Sequence, residues 1–208
     1  GHLHFGATSQ DIVDTALVII LGDATSAIIA SAKRLAVSLD RLAATHRDTI
    51  MLGRTLLQPG PPTTFGLKAA HWLLGITAAA DRLARERDTF RDVQFGGAVG
   101  TLSALGDRGI AVTENLAARL HPQAPAAPWH TRRDGVIGHA TAAGFTGLAA
   151  ANIAEDIALL MQFEVAEVAE PGGGGRGGSS TMPHKRNPTA SMVARAAAHR
   201  LPGLIGTL

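Results

Sequence analysis

Residues 178–188 read Gly-Ser-Ser-Thr-Met-Pro-His-Lys-Arg-Asn-Pro, which places two hydroxyls, Ser179 and Ser180, six and five residues before a fixed cation, Lys185. A serine hydroxyl is a weak acid or base at its free pKa. It becomes useful in proton transfer when nearby cations and backbone amides stabilise its alkoxide. Asn187 is a good helix N-cap and Pro188 suits the first helical position, so a helix is expected over Thr189 to Leu201. The free amides of that helix end, with Lys185 beside them, would attract an anion. Directly upstream, Gly172 to Gly178 contains six glycines and Arg176, as suits a mobile cover over a bound ligand.

The glycine run also matches Gly-x-Gly-x-x-Gly at Gly172, Gly174 and Gly177. A dinucleotide site needs a strand before that motif, and Glu164 to Glu170 instead closes a helical stretch. Two other helix starts carry polar, anion-seeking residues: Thr8-Ser9-Gln10-Asp11, with capping-box spacing, and Thr63-Thr64. Asp11 and Asp14 form a carboxylate pair only on paper, because capping accounts for their spacing.

The string at 178–188 resembles the signature of the fumarase/aspartase superfamily, Gly-Ser-Ser-x-Met-Pro-x-Lys-x-Asn-Pro, at every fixed position. His4-Phe5-Gly6-Ala7-Thr8-Ser9-Gln10-Asp11 resembles its first conserved region. Gly53-Arg54-Thr55-Leu56-Leu57-Gln58, with Pro62-Thr63-Thr64-Phe65-Gly66-Leu67-Lys68, resembles the second. Adenylosuccinate lyases usually carry an acid/base histidine after Gly-Arg-Thr; here that residue is Leu56, which cannot transfer a proton. Leu-Gln at that point, Gln94-Phe95-Gly96-Gly97-Ala98 and Trp129-His130-Thr131 look like the bacterial 3-carboxy-cis,cis-muconate cycloisomerase branch, although Arg132 stands where that branch has glutamine.

The resemblance implies an all-α, long-helix bundle that contributes to a multi-chain central core. It also implies a reaction through a carbanion held as an aci-carboxylate, which requires donors and positive potential in the site. In the cycloisomerase form, a substrate carboxylate adds across a conjugated double bond to give a lactone, with no cofactor and no metal. Carried over residue by residue, Ser179 and Lys185 are the catalytic candidates. His4, Thr8, Ser9, Arg54, Thr55, Gln58, His130, Ser180, Met182 and Asn187 are the substrate-binding candidates. The implied partners are a small tricarboxylate and further copies of the chain, in a homotetramer with shared active sites. The alternatives are an adenylosuccinate lyase-like eliminase releasing fumarate and a non-catalytic homologue.

The elements that must position these residues are nearly all helical, because Ala, Leu and Ile recur at helical spacing and β-branched alternation is rare. Helices are expected from Thr8 to about Thr45, from Phe65, capped by Thr63, to about Phe90, over Ile110 to Leu120, and from Thr131 or Asp134 to about Glu167. They belong to one central helical domain over residues 1–208, with the signature loop over 171–187. The 208-residue chain is 46% hydrophobic and 17% charged, the balance of a globular protein. Its net charge is only +2, with sixteen arginines and three lysines spread among seventeen acids, so nucleic acid is not an expected partner.

Cysteine is absent, which rules out disulfides and thiolate chemistry and is compatible with the cytoplasm. Apolar stretches such as Ala16 to Leu21 and Ala142 to Ala151 are short or interrupted, so no membrane span is expected. His2-Leu3-His4 lacks the companions of a metal motif, and His184 sits at a variable signature position. The chain opens without methionine or a visible signal peptide. It is read as a piece of a longer protein that lacks the family's N-terminal helices and C-terminal region.

Overall fold

A computed structural model of the chain describes residues 3–172 and 177–208. The elements follow as α1 (Ser9–Thr45), β1 (Ile50–Thr55), β2 (Gln58–Thr64), α2 (Phe65–Thr89), a 3-10 segment (Ser103–Arg108), α3 (Gly109–Leu120), α4 (Asp134–Leu160), α5 (Thr189–Ala198) and α6 (Leu201–Ile205). The long helices fall where helical spacing places them. The expected all-α character has one addition, the β1–β2 hairpin. α4 stops at Leu160, short of the expected Glu167, and the chain then makes tight turns closed by Glu167 N–H donating to Leu160 O.

The chain divides into two compact units, 1–29 with 82–142 and 30–81 with 143–208. In the first, Trp129 is fully buried against Val18 and Val136, with Phe90 packed edge-on at a ring separation of 4.9 Å. The Trp129 indole N–H donates to Val93 O at 3.0 Å, so the ring adds apolar area without leaving a buried donor unpaired.

The second unit's core is built from Ala32 and Leu39 of α1, Ala69, Trp72, Ile76 and Ala80 of α2, and Ile153 of α4. Positions 69, 72, 76 and 80 recur every three or four residues, the stripe by which a helix buries one face. Small residues set how closely the elements approach. A Cβ on Gly144 or Gly147 of α4 would meet Ile205 or Leu201 at 2.3 and 2.4 Å, so these glycines admit α6 and its approach.

The hairpin is antiparallel, pairing Ile50 with Thr64, Met51 with Thr63 and Thr55 with Gln58, with an irregularity between Leu52 and Arg54. Gly53 lies there because a Cβ would sit 2.3 Å from Pro61 O. A two-strand sheet has only edges, so Pro59, Pro61 and Pro62 in β2 are tolerated. The turning residues are Leu56 and Leu57, both left-handed at φ 49° and 64°. Asn and Gly favour such positions. Two leucines there cost about 1 kcal/mol each or more, and Leu56 is 96% exposed.

By length and composition, α1 and α4 would each suffice to cross a membrane, contrary to the reading of broken apolar stretches. Both leave many apolar residues exposed, among them Ile12, Val13, Ile20 and Leu148.

Candidate active site

In the first unit the site residues are organised by a buried carboxylate. Asp11, 1% exposed, accepts Thr8 N–H and Gly97 N–H on Oδ2 and Gly96 N–H and the Gln94 side-chain amide on Oδ1, at 2.9–3.0 Å. The Thr8 bond is the capping-box contact anticipated from sequence; the other three are not capping. Asp11 joins the first conserved region to the Gln94-Phe95-Gly96-Gly97 segment across more than eighty residues of chain. Gly97 carries φ 67° and passes so close to Gly6 O that a Cβ would lie 2.7 Å from it.

Gln94 is fully buried; its Oε1 accepts Trp129 N–H at 2.6 Å and its Nε2 lies 3.2 Å from His130 Nδ1. Asp14 is likewise more than a cap. It is buried and receives both guanidinium nitrogens of Arg133 at 2.8 and 3.0 Å, and this pairing raises the Arg133 pKa. Thr8, Ser9, His4 and His130 all belong to this unit; Thr8 and His130 are drawn into the network, while His4 and Ser9 are exposed.

In the second unit, Arg54 and Thr55 line an open cavity of about 940 Å³ with Thr63, Lys68, His71 and Asp156. Arg54 is already engaged, making a bidentate pair with Glu167 at 2.7 and 3.1 Å whose hydrogen bonds raise the arginine pKa. Asp156 Oδ2 accepts both Lys68 Nζ at 3.2 Å and the Trp72 indole N–H at 2.8 Å. Gln58 is exposed beside the hairpin tip. Thr64, rather than Thr63, caps α2, its hydroxyl accepting Leu67 N–H at 3.1 Å.

The signature loop surrounds a second cavity, of about 270 Å³, lined by Lys185, Asn187, Glu170 and Gly177 among others. It shares no lining residue with the first. Ser179 Oγ accepts Met182 N–H at 3.1 Å and Thr181 N–H at 3.4 Å, donors that favour an anionic oxygen. Ser180, Met182 and Lys185 are exposed. Residues Gly173 to Arg176 of the expected mobile cover, and His2, lie outside the described residues. Among the described residues no group of three or more His, Asp or Glu is placed to hold a metal.

The start of α5 departs from expectation. Asn187 is not its N-cap: its side-chain amide donates to Gly177 O at 3.2 Å, closing the base of the loop, and α5 begins after Pro188 and ends at Ala198 rather than Leu201. The helix-end amides are already taken by an anion of the protein itself. Glu170 accepts Ala190 N–H, Ser191 N–H and the Ser191 hydroxyl at 2.7–3.0 Å. Burial works to raise the Glu170 pKa, and these three bonds outweigh it to leave it lowered. Sequence reasoning missed this carboxylate, because only the closure of the loop brings it onto an amide twenty residues ahead.

The profile of a protein family described as lyase matches residues 1–203. The chain belongs to this lyase family of the fumarase/aspartase superfamily. It is 46% identical over 207 residues, all of its own length, to 3-carboxy-cis,cis-muconate cycloisomerase of Bradyrhizobium diazoefficiens, of which it covers 46%. Against nitrosuccinate lyase of Streptomyces davaonensis it is 43% identical, covering 97% of itself and 44% of that relative. The crystal structure of the 3-carboxy-cis,cis-muconate lactonizing enzyme from Pseudomonas putida superposes with a TM-score of 0.91 at 44% identity, over 98% of this chain and 44% of that one. The chain therefore spans less than half the length of the relatives it matches. The long-helix bundle is the fold of this family.

Proposed function

We propose that the full-length protein is a 3-carboxy-cis,cis-muconate cycloisomerase, acting in the catabolism of aromatic compounds through protocatechuate. A carboxylate of the substrate adds to the conjugated double bond, the negative charge passes to the carbon next to another carboxylate, and protonation there gives the lactone. The observation that carries this reading is the intact signature loop, in which two backbone amides point at Ser179 Oγ and Lys185 stands free of any ion pair among the described residues. Two amide donors on the Ser179 oxygen, and a lysine six residues along the same loop, support proton transfer at the serine and charge stabilisation by the lysine. Similarity to the Bradyrhizobium and Pseudomonas enzymes supports the choice of substrate.

Ser179 moves the proton and Lys185 stabilises the intermediate. Ser180, Met182 and Asn187 shape the loop, and Arg54, Thr55, Gln58, His4, Thr8, Ser9 and His130 bind carboxylates. Arg54 is suited to this although it is paired, because the guanidinium that holds the Glu167 carboxylate at two points can hold a substrate carboxylate in the same way. No metal or redox cofactor takes part. The protein is cytoplasmic, and its residues 1–208 belong to one helical domain, with the signature loop over 171–187, in a homotetramer whose sites draw on several chains. Separate linings for the Arg54 and Lys185 cavities, and the exposed apolar residues of α1 and α4, support that arrangement.

The test is lactone formation from 3-carboxy-cis,cis-muconate by the full-length protein, with turnover lowered at least about a hundredfold in Ser179→Ala. Near-wild-type turnover in that variant removes Ser179 from the chemistry. The similarity to nitrosuccinate lyase favours a second reading, elimination from a substituted succinate, to which Leu56 in place of the usual histidine is unfavourable. Fumarate release from adenylosuccinate, without lactone formation, would establish elimination. Inertness towards 3-carboxymuconate, adenylosuccinate and nitrosuccinate would favour a non-catalytic homologue.

A further inference from the structure

His130 touches one polar group among the described residues, the side-chain amide of Gln94. The identity of the amide atoms follows from their neighbours. Trp129 N–H can only donate, so the atom 2.6 Å from it is the Gln94 oxygen, which leaves the amide nitrogen as the atom 3.0 Å from Asp11 Oδ1. That nitrogen has two hydrogens and no lone pair to offer. One is directed to Asp11 and the other to His130 Nδ1, which lies 3.2 Å from the amide nitrogen. An imidazole with a proton on Nδ1 would set N–H against N–H. Nδ1 must therefore be the accepting nitrogen, and the ring proton resides on Nε2.

Every part of the clamp is itself held. Gln94 N–H donates to Thr15 Oγ1 and the same hydroxyl donates back to Gln94 O, both at 2.9 Å, while Asp11 is fixed by Thr8, Gly96 and Gly97. Asp11 has spent its acceptor sites and is unsuited to abstract a proton. His130 is half-buried, and its Nε2 makes no hydrogen bond to any described residue.

We propose that Gln94 is a positioning residue that locks His130 in the Nε2-protonated tautomer, so that His130 serves as a hydrogen-bond donor to a carboxylate oxygen of the substrate and not as a base. This rests on the reading of the site as one for a polycarboxylate. A donor on Nε2 meets a carboxylate without any proton changing hands, which leaves proton transfer to Ser179.

Nitrogen-15 NMR of histidine-labelled full-length protein reads the tautomer directly. The expected spectrum at a pH where the ring is neutral has an unprotonated-type Nδ1 and a protonated-type Nε2 for His130; the reverse overturns the proposal. Gln94→Leu should leave a mixture of tautomers, and an unchanged single tautomer there would show that Gln94 is not the lock. Because Gln94→Leu also unpairs buried donors, a second pair of variants avoids the core. His130→Gln, which keeps an amide donor near the place of Nε2, should hold KM for 3-carboxymuconate within about threefold, whereas His130→Leu should raise it roughly tenfold or more with a smaller change in kcat. Equal losses in the two would sink the donor role. Calorimetric binding of tricarballylate separates this from the reaction assignment. Weaker binding in His130→Leu alone, by a protein that makes no lactone, would keep the donor and reject the cycloisomerase.

Discussion

The Asp11 network and the signature loop are both polar, glycine-containing and dense in motif residues, yet they are built in opposite ways. Around Asp11 nearly every polar atom is buried and answered: one carboxylate takes four donors, and Gln94 uses its oxygen and both hydrogens. In the loop, Ser180, Met182 and Lys185 are exposed, and a few backbone and side-chain bonds, those of Ser179, Asn187 and Glu170, define the shape. A buried polar cluster is stable only when completely satisfied, and that requirement makes it rigid. The contrast shows that a carboxylate removed from water must be answered at every acceptor site, whereas exposed groups can rely on solvent and need few fixed partners.

The sharpest way to break the comparison is to remove the buried hub. Asp11→Ala strands the amides of Gly96, Gly97 and Thr8 and one hydrogen of Gln94, and should cost about 3 kcal/mol or more in urea unfolding of the full-length protein. A loss under about 1 kcal/mol would mean the network is not the rigid half. Lys185→Met should do the converse, leaving stability within about 0.5 kcal/mol while lowering kcat/KM by tenfold or more. Arg119→Met, an exposed charge on α3, serves as the control. Similar kinetics for Lys185→Met and Arg119→Met would take the lysine out of the site.

Smaller effects sharpen the contrast at the surface. Replacing Leu56-Leu57 by Asn-Gly relieves two left-handed leucines and should raise stability by about 1–2 kcal/mol. If the strained tip is kept for function, activity should fall as stability rises; higher stability with unchanged activity would assign the tip no role.

The smallest effect is Glu170→Ala, which removes the α5 cap at a cost of about 1 kcal/mol. The Glu170 pKa is lowered in the folded protein, so its contribution is fully present above the unfolded value of about 4.3 and fades as pH falls through the lower, folded value. Wild type should therefore lose its advantage over Glu170→Ala on acidification below about pH 4.3. A stability difference that does not change with pH would show that the carboxylate charge is not what holds the helix end.

Helical spacing of Ala, Leu and Ile was sufficient to find the long helices and α3, though not the end of α4, because amphipathic periodicity is a local property. The signature at 178–188 was legible for the same reason: its serines, lysine and Asn-Pro act within one short loop. The hairpin was hidden because its turn carries leucines where turn chemistry prefers Asn and Gly, and because prolines mask its second strand. Asp11 looked like a cap since its one local bond is a capping bond, and the three that make it a hub come from residues more than eighty positions away. Glu170, to which no role was assigned, took over the capping role expected of Asn187 for a related reason. Cap preference ranks residues by what they do to their own helix, whereas the folded loop brought a distant carboxylate onto the α5 amides and turned the asparagine back to Gly177. Sequence alone determined which residue types are available and which segments are helical; tertiary structure decided which donor meets which acceptor, since a hydrogen bond depends on a separation of about 3 Å that no spacing along an open chain specifies.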